Sequence, residues 1–209
     1  MANGRVDSET AKQPYRIGLL GGTFDPPHNG HLRLAQAALT QLALDVVFFL
    51  PVGDPTHKSR PNLSNVSQRV SMTVLAIANE PRFALNLADC LRPEPHYTST
   101  LLPFIQAEYP NADLWYVIGG DSLRDFYKWY QPETIIAQCR LAVLPRPGVA
   151  INWENLEPIT GLRERVDLLA GELADISSTM LRRVAISAER QPYLPPAVFD
   201  YIENHNLYR

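Results

Sequence analysis

Short apolar runs that alternate with segments of helical period constrain this chain more than any other feature. Ile17–Leu20 and Val46–Leu50 are runs of strand length, and between them Leu32, Ala35 and Leu39 recur at helical spacing. Strands that alternate with helices form parallel sheets, because each crossover connection carries a helix. The order therefore predicts an α/β fold with a doubly wound, mostly parallel sheet and helices on both faces.

The same alternation continues to the end of the sequence. Further strands are predicted at Phe83–Leu87, Leu114–Ile118, Leu141–Leu144 and Glu172–Ile176, and further helices at Val66–Ala78, Thr98–Glu108, Ser178–Ile186 and Pro196–Glu203. Residues 1–14 are polar and lack a period, so we expect a disordered leader followed by a single domain over residues 15–209. The last part of that domain, residues 177–209, is predicted to be helical.

Composition excludes several classes of protein. The net charge of −3 argues against a protein that mainly coats nucleic acid, and no apolar run approaches the roughly 18 residues of a membrane helix. Neither nucleic acid nor a membrane is therefore an expected partner. Cys90 and Cys139 are far apart and the first residues lack a signal-peptide pattern, which predicts a reduced, cytoplasmic protein. Nineteen residues are Lys or Arg, and only Lys12, Lys58 and Lys128 are lysines. The excess of arginine favours an anionic ligand, because guanidinium groups fork onto phosphates and carboxylates.

The segment Gly21–Leu32 joins the first predicted strand to the first predicted helix and reads GGTFDPPHNGHL. It lies at the carboxyl edge of the sheet, where α/β proteins bind ligands. Glycines let the backbone approach a ligand, and the helix N-terminus offers N–H groups to an anion. His28 and His31 are three residues apart and project on one face, so we expect them to hold the oxygens of a reacting phosphoryl group.

Other functions of this segment are weaker. The chain has neither a G-x-G-x-x-G nor a Gly-Lys-Ser/Thr motif, which disfavours hydride transfer and P-loop NTPase chemistry. The histidine pair is also compatible with helix capping or core packing. A zinc site would need further ligands from His57 or His96, which have no recognisable ligand spacing.

A second segment, Asp175–Arg182, is predicted to be another helix N-terminus. Hydroxyls and N–H groups cluster there, and Arg182 lies one turn inside the helix, where it can fork onto a polyphosphate. The alternative is a plain Ser/Thr cap with a solvated arginine. Together the two segments predict two anion sites that face one crevice.

GGTFDPPHNGH and ISSTxxR together resemble the nucleotidyltransferase superfamily with its H-x-G-H motif, and most closely the bacterial nicotinate-nucleotide adenylyltransferases. The resemblance covers residues 16 to about 208. Its further matching stretches are Pro55–Lys58, Arg92–Thr98, Gly119–Leu123 and Arg146–Gly148. It implies a Rossmann-like fold and a reaction in which the phosphate of nicotinate mononucleotide attacks the α-phosphorus of ATP, giving deamido-NAD and pyrophosphate. No covalent enzyme intermediate is implied.

The resemblance also implies roles for single residues. The catalytic residues are expected to be His28, His31 and Arg182. Residues expected to bind ATP are Gly21, Gly22, Thr23, Phe24, His28, His31, Ser178, Thr179 and Arg182. Those expected around the mononucleotide are Thr98, Asp121, Trp129, Tyr130 and Arg146, with His57 and Lys58 on a mobile loop between the substrates.

Each mononucleotide residue also has a local interpretation. Asp121 follows a predicted strand, where its carboxylate accepts ribose hydroxyls or only caps the next helix. Trp129 and Tyr130 are suited to stack on a pyridinium ring or to pack in the core. Two positions depart from the family pattern: His96 stands where Ser is common, and Gly120 where Ala is common.

No group of carboxylates is spaced as a dedicated metal cage, so magnesium is expected to arrive on the ATP phosphates. Asp25 is placed to touch that ion, a ribose or only its own turn.

Two rival functions remain open at this stage. One is an adenylyl- or cytidylyltransferase that acts on another phosphate, such as phosphopantetheine, and Asp121, Trp129 and Arg146–Gly148 argue against it. The other is a nucleotide-binding regulator without catalysis, which the presence of both His28 and His31 disfavours.

Overall fold

A computed structural model describes residues 15–53, 63–145, 151–171, 173, 176–183 and 191–208. Within these residues six parallel strands form a sheet in the order β3-β2-β1-β4-β5-β6. The strands are β1 (Arg16–Gly22), β2 (Val46–Pro51), β3 (Phe83–Leu85), β4 (Asp113–Gly119), β5 (Arg140–Leu144) and β6 (Val166–Leu168). The predicted fold class is confirmed.

Helices cover both faces of this sheet. They are α1 (Asn29–Gln41), α2 (Val66–Ile77), α3 (Ala88–Leu91), α4 (Thr98–Glu108), α5 (Gly120–Arg124), α6 (Pro132–Gln138), α7 (Ser178–Arg183) and α8 (Pro196–Asn204). Short 3-10 turns lie at Phe126–Lys128, Glu154–Leu156, Arg163–Arg165 and Gln191–Tyr193. None of the described helices is both long and apolar enough to cross a membrane.

The two faces of the sheet carry separate cores. Phe49 and Val117 point to the core under α1, α2 and α8, whereas Phe48 and Ile118 point to the core under α4 and α6. Strands that are buried on both faces read as continuous apolar runs, which explains why β2 and β4 were predictable from the sequence.

The strand order reverses direction at β1, which pairs with β2 on one side and with β4 on the other. Chain connections therefore diverge at the carboxyl ends of β1 and β4, and doubly wound sheets bind ligands in the crevice at such a switch point. Gly22 ends β1 and Gly119 ends β4, so the glycine-rich segments of both strands meet there.

The last strand was predicted wrongly. It lies at Val166–Leu168; in the predicted range 172–176, Leu173 and Ile176 are not in a strand, and the other three residues lie outside the described residues. The apolar residues that suggested a strand there, Leu173 and Ile176, pack in the core under α1. β6 lacks an apolar run because it is an edge strand, whose central Asp167 accepts hydrogen bonds from Arg140 and Trp115.

The other predictions have mixed outcomes. The bounds of α4 are confirmed, β3 ends two residues earlier than predicted, and α3 and α6 were missed. The leader 1–14 and the last residues of the predicted helix Ser178–Ile186 lie outside the described residues. Cys90 and Cys139 are not disulfide-bonded.

Candidate active site

The turn after β1 is shaped by close packing. A Cβ atom at Gly21 would collide with the hydroxyl of Tyr116, so this position requires glycine. Phe24 adopts a left-handed conformation with φ 51° and is buried. Its ring meets the ring of His31 edge-on at 5.1 Å. The turn therefore holds the His31 ring in place through the Phe24 ring.

His28 and His31 lie at the start of α1. His28 occupies the N-cap position, and its backbone N–H donates a 3.1 Å hydrogen bond to Nδ1 of His31. The two rings stack with centroids 3.8 Å apart. Burial, and then the neighbouring His28, hold the pKa of His31 well below its usual value. Because Nδ1 accepts a hydrogen bond, the neutral ring carries its proton on Nε2 and is a hydrogen-bond donor near pH 7.

The start of α7 packs against the same turn. Ser177 caps the helix, since its Oγ accepts the backbone N–H of Met180 at 3.1 Å. The Ser178 hydroxyl donates to the carbonyl of Pro26 at 2.9 Å. The start of α7 is thereby fixed beside the turn that precedes α1.

Arg182 strengthens this contact. Its Nη1 donates to the backbone carbonyl of Asp25 at 2.6 Å, and its Nη2 donates to Oγ1 of Thr179 at 3.2 Å. The two segments that the sequence predicted to share a crevice are therefore in direct contact.

A cavity of about 240 Å³ opens where these elements meet, and we call it the histidine cavity. It lies at the switch point, because its walls follow the carboxyl ends of β1 and β4. It is lined by His28, Gly30, His31, Leu34, Gly119, Asp121, Ser122, Leu173, Ile176, Ser177 and Ser178. Imidazoles and helix starts are donor groups suited to an anion.

Asp121 lies in this cavity with the histidines. The N-cap of α5 is Gly119 and Asp121 sits inside the first turn, so its interpretation as the cap was wrong. Its carboxylate is 38% exposed and lies 3.6 Å from Nη1 of Arg124.

A second cavity of about 210 Å³ lies on the other side of β1, and we call it the tyrosine cavity. It is lined by Gly21, Gly22, Thr23, Val52, Asp89, His96, Thr98, Leu101 and Tyr116. Burial raises the pKa of Tyr116 to about 12, although its hydrogen bond with Thr98 opposes the shift. Tyr116 therefore presents a neutral hydroxyl beside Thr98.

Asp89, which lines the tyrosine cavity, belongs to a buried ion pair. Nη2 of Arg92 lies 2.7 Å from Oδ1 of Asp89, and the Arg92 side chain is only 3% exposed. Arg92 also donates to the carbonyls of Pro95 and Tyr97, which fixes the segment that leads into α4. Nδ1 of His96 lies 3.6 Å from the same Asp89 oxygen.

The predicted aromatic residues have different surroundings. Trp129 is half-buried and packs edge-on against Tyr116 at 5.9 Å, and it is not among the described residues that line either cavity. Tyr130 is 49% exposed and stacks on Tyr97 at 4.5 Å. His57, Lys58 and Arg146 lie outside the described residues.

Arg69 was missed in the sequence analysis. Its buried guanidinium donates to the carbonyls of Thr23 at 3.0 Å and Val52 at 2.7 Å, and its Nε donates to the carbonyl of Ser64 at 3.1 Å. It thus fixes the backbone of the tyrosine cavity. The sequence did carry a signal for this buried arginine, because it is a charged residue on the apolar face of α2, one turn before Met72. An arginine is buried only where hydrogen bonds or an opposite charge satisfy its guanidinium.

The fold and the two cavities define a nucleotide-handling protein of the nucleotidyltransferase class, and the profile of the cytidylyltransferase-like family matches residues 19–184. A relative from Thermomicrobium roseum is 37% identical over 93% of this chain and 92% of its own length. A relative from Synechococcus sp. is 39% identical over 94% and 96%. Both carry the name probable nicotinate-nucleotide adenylyltransferase. The chain belongs to the nicotinate-nucleotide adenylyltransferase family.

A solved structure supports the fold. The nicotinic acid mononucleotide adenylyltransferase of Plasmodium falciparum, in complex with NaAD, superposes with a TM-score of 0.74. The match covers 92% of this chain and 97% of that one at 21% identity.

Proposed function

We propose that this protein transfers the adenylyl group of ATP to the phosphate of nicotinate mononucleotide, which forms deamido-NAD in NAD biosynthesis and releases pyrophosphate. The observation that carries this function is the contact of the two anion-binding segments at the switch point, in a chain of this family. The relatives' names favour this reaction over transfer to phosphopantetheine and over a non-catalytic regulator.

The reaction is an in-line displacement at the α-phosphorus of ATP. A phosphate oxygen of the mononucleotide forms the new P–O bond while the bond between the α-phosphorus and the pyrophosphate oxygen breaks, and pyrophosphate leaves with that electron pair. Such a reaction needs alignment and charge stabilisation more than covalent participation by the protein. Donors at the histidine cavity fit that need, since His31 supplies a neutral N–H and α1 and α7 supply their first backbone N–H groups.

The ATP side follows from these donors. We assign ATP binding to His28, His31, Ser178, Thr179 and Arg182, as the family resemblance implies. The resemblance also assigns the turn Gly21–Phe24 to ATP, although Gly21, Gly22 and Thr23 line the tyrosine cavity, so this turn lies between the two substrates in the proposal. The role of Phe24 is indirect, because its buried ring packs against the ring of His31. Arg182 retains further N–H donors for phosphate oxygens beside those that hold Asp25 and Thr179.

The mononucleotide side uses both cavities. We assign the ribose next to the reacting phosphate to Asp121, which lines the histidine cavity, and the pyridine ring to the tyrosine cavity with Thr98. Trp129 and Tyr130 would then act near the entrance of the tyrosine cavity. The roles of His57, Lys58 and Arg146 rest on the resemblance alone.

Magnesium is assigned to the ATP phosphates. The described part of the chain has no group of three or more His, Cys, Asp or Glu side chains placed to hold a metal ion, and magnesium commonly keeps substrate oxygens and waters as ligands. The ion would neutralise phosphate charge. We also propose that the protein works in the cytoplasm, in keeping with two cysteines that form no disulfide.

The test is a product assay with purified protein, magnesium and ATP. Nicotinate mononucleotide, nicotinamide mononucleotide and phosphopantetheine are supplied separately, and dinucleotide and pyrophosphate are measured. We expect deamido-NAD and an equal amount of pyrophosphate with the first acceptor. Greater turnover with phosphopantetheine, or ATP binding without pyrophosphate release from any acceptor, would contradict the proposal.

A further inference from the structure

The carboxylate of Asp25 is completely buried and is not among the described residues that line either cavity. Both of its oxygens accept the backbone N–H of Ser64 at 3.3 Å, and Oδ1 also accepts the hydroxyl of Tyr208 at 2.6 Å. These bonds commit both carboxylate oxygens to Ser64 and Tyr208.

Tyr208 comes from the opposite end of the sequence. It lies in the segment after α8, residues 205–208, and its hydroxyl accepts a 3.1 Å hydrogen bond from Oγ of Ser64 while it donates to Asp25. Burial, and then the charge of Asp25, raise the pKa of Tyr208 well above its usual value. The hydroxyl therefore stays protonated and remains a donor to the carboxylate.

The backbone of Asp25 has a different partner. Its carbonyl oxygen accepts Nη1 of Arg182 at 2.6 Å, and its Oδ2 lies 3.9 Å from the same guanidinium nitrogen. The next residue, Pro26, accepts the hydroxyl of Ser178. One short turn thus binds Tyr208 through the side chain of Asp25 and binds α7 through its carbonyls.

We infer that Asp25 and Tyr208 are positioning residues, which hold the turn before α1 so that Arg182 is aimed at the phosphates of ATP. This inference rests on the proposed role of Arg182 in ATP binding. Tyr208 then supports the ATP site from outside it, through Asp25 and the turn before α1. Loss of the Tyr208 hydroxyl leaves a buried carboxylate with one donor fewer, and the turn can relax toward solvent.

The experiment is a double-mutant cycle of Tyr208→Phe with Arg182→Ala, read out as the Kd for magnesium-ATP by calorimetry and as KM for the mononucleotide. We expect Tyr208→Phe to raise the Kd for ATP roughly five- to tenfold, because hydrogen bonds to buried charged groups are strong. In the Arg182→Ala background the same change should raise it less than about twofold, because the two residues act through one another. KM for the mononucleotide should stay unchanged.

Two further variants keep the test decisive. Tyr201→Phe removes a hydroxyl from α8, on a ring that stacks on His205, and should match the parent protein. Ser64→Ala keeps the backbone donor to Asp25 but removes the donor to Tyr208, and should weaken ATP binding in the same direction if Tyr208→Phe does not fold.

Equal effects of Tyr208→Phe in both backgrounds, equal effects on both substrates, or an unchanged Kd would overturn the inference. The proposed function fails separately, since it requires that the parent protein release pyrophosphate, whereas ATP affinity is measured without turnover.

Discussion

The two cavities beside the carboxyl end of β1 differ in their polar groups. The polar groups of the histidine cavity are imidazoles, the first turns of helices and the partly exposed carboxylate of Asp121, and Leu34, Leu173 and Ile176 complete its lining. The tyrosine cavity contains a charge that is already paired, because Asp89 is bound by Arg92, and its other polar groups include the hydroxyls of Thr98 and Tyr116.

This difference indicates a division of roles. Hydrogen-bond donors attract an anion of almost any shape. A cavity whose charges are already paired instead selects its ligand by hydrogen bonding and by shape. We therefore expect changes in the histidine cavity to affect mainly the chemical step. Changes at the tyrosine cavity should affect mainly the choice and binding of the mononucleotide.

Loss of either histidine is the most severe test of this division. We expect His31→Ala, and similarly His28→Ala, to lower kcat on the order of 10²–10³-fold, as for removal of one preorganised donor. KM for the mononucleotide should change little. Steady-state kinetics measure both constants, and circular dichroism checks the fold. His205→Ala is the matched control, because His205 is exposed and its Nδ1 contacts only its own helix at the carbonyl of Tyr201. Near-normal turnover in a folded His31→Ala protein would contradict the assignment.

Substrate preference tests the tyrosine cavity. We expect kcat/KM for nicotinate mononucleotide to exceed that for nicotinamide mononucleotide at least about tenfold, because an amide NH2 facing donors leaves a buried group unpaired. Separate kinetics with each mononucleotide give the ratio. Equal values in the parent protein would refute acid selectivity.

Trp129→Ala provides the companion measurement. Because Trp129 packs against Tyr116 and is suited to stack on either pyridine ring, we expect both mononucleotides to bind several-fold more weakly, roughly the loss of one cation–π contact, at nearly constant ratio. If the ratio collapses in this variant, the tryptophan itself distinguishes the carboxylate from the carboxamide.

Arg182→Lys tests the contact between α7 and the turn beside the histidine cavity. A lysine keeps the charge but cannot reproduce the fork that binds Asp25 and Thr179 and that we propose also binds phosphate oxygens. We expect ATP to bind roughly three- to tenfold more weakly, with the mononucleotide unaffected. Calorimetric titration with magnesium-ATP makes this comparison, and an unchanged Kd would exclude the fork.

The smallest effect concerns pH and stability. The folded protein holds the pKa of His31 well below its usual value of 6.5, so below about pH 6.5 the unfolded chain binds a proton that the folded chain does not. Stability should therefore fall as pH is lowered through this range, by at most about 1.4 kcal/mol per pH unit from this residue. His31→Asn should reduce that slope in urea unfolding measured from pH 7.5 to 5. The same slope in both proteins would mean that His31 titrates normally.

Local features of the site could be predicted from the sequence. The spacing of His28 and His31 fixes their common face, and the Ser-Ser-Thr string fixes a helix start, because both depend on neighbouring residues. The bounds of α4, Thr98–Glu108, follow from its apolar period for the same reason.

Features that depend on distant residues could not be predicted. Arg69 meets Thr23 across 46 positions and Tyr208 meets Asp25 across 183, and neither spacing has a local signature. β6 was missed because an edge strand needs no apolar run. The alternative in which Asp121 caps α5 is wrong because Gly119, which ends β4 in an extended conformation, takes the cap position itself.

Gly21 and Tyr116 occupy neighbouring strands and compete for one volume, with consequences for the order in which mutations can accumulate. Every replacement of Gly21 adds at least a methyl group where the tyrosine hydroxyl already lies. While the tyrosine ring keeps its present place, a side chain at position 21 is accommodated only when position 116 carries a smaller residue. The opposite order is open, since glycine leaves room for whatever follows at position 116.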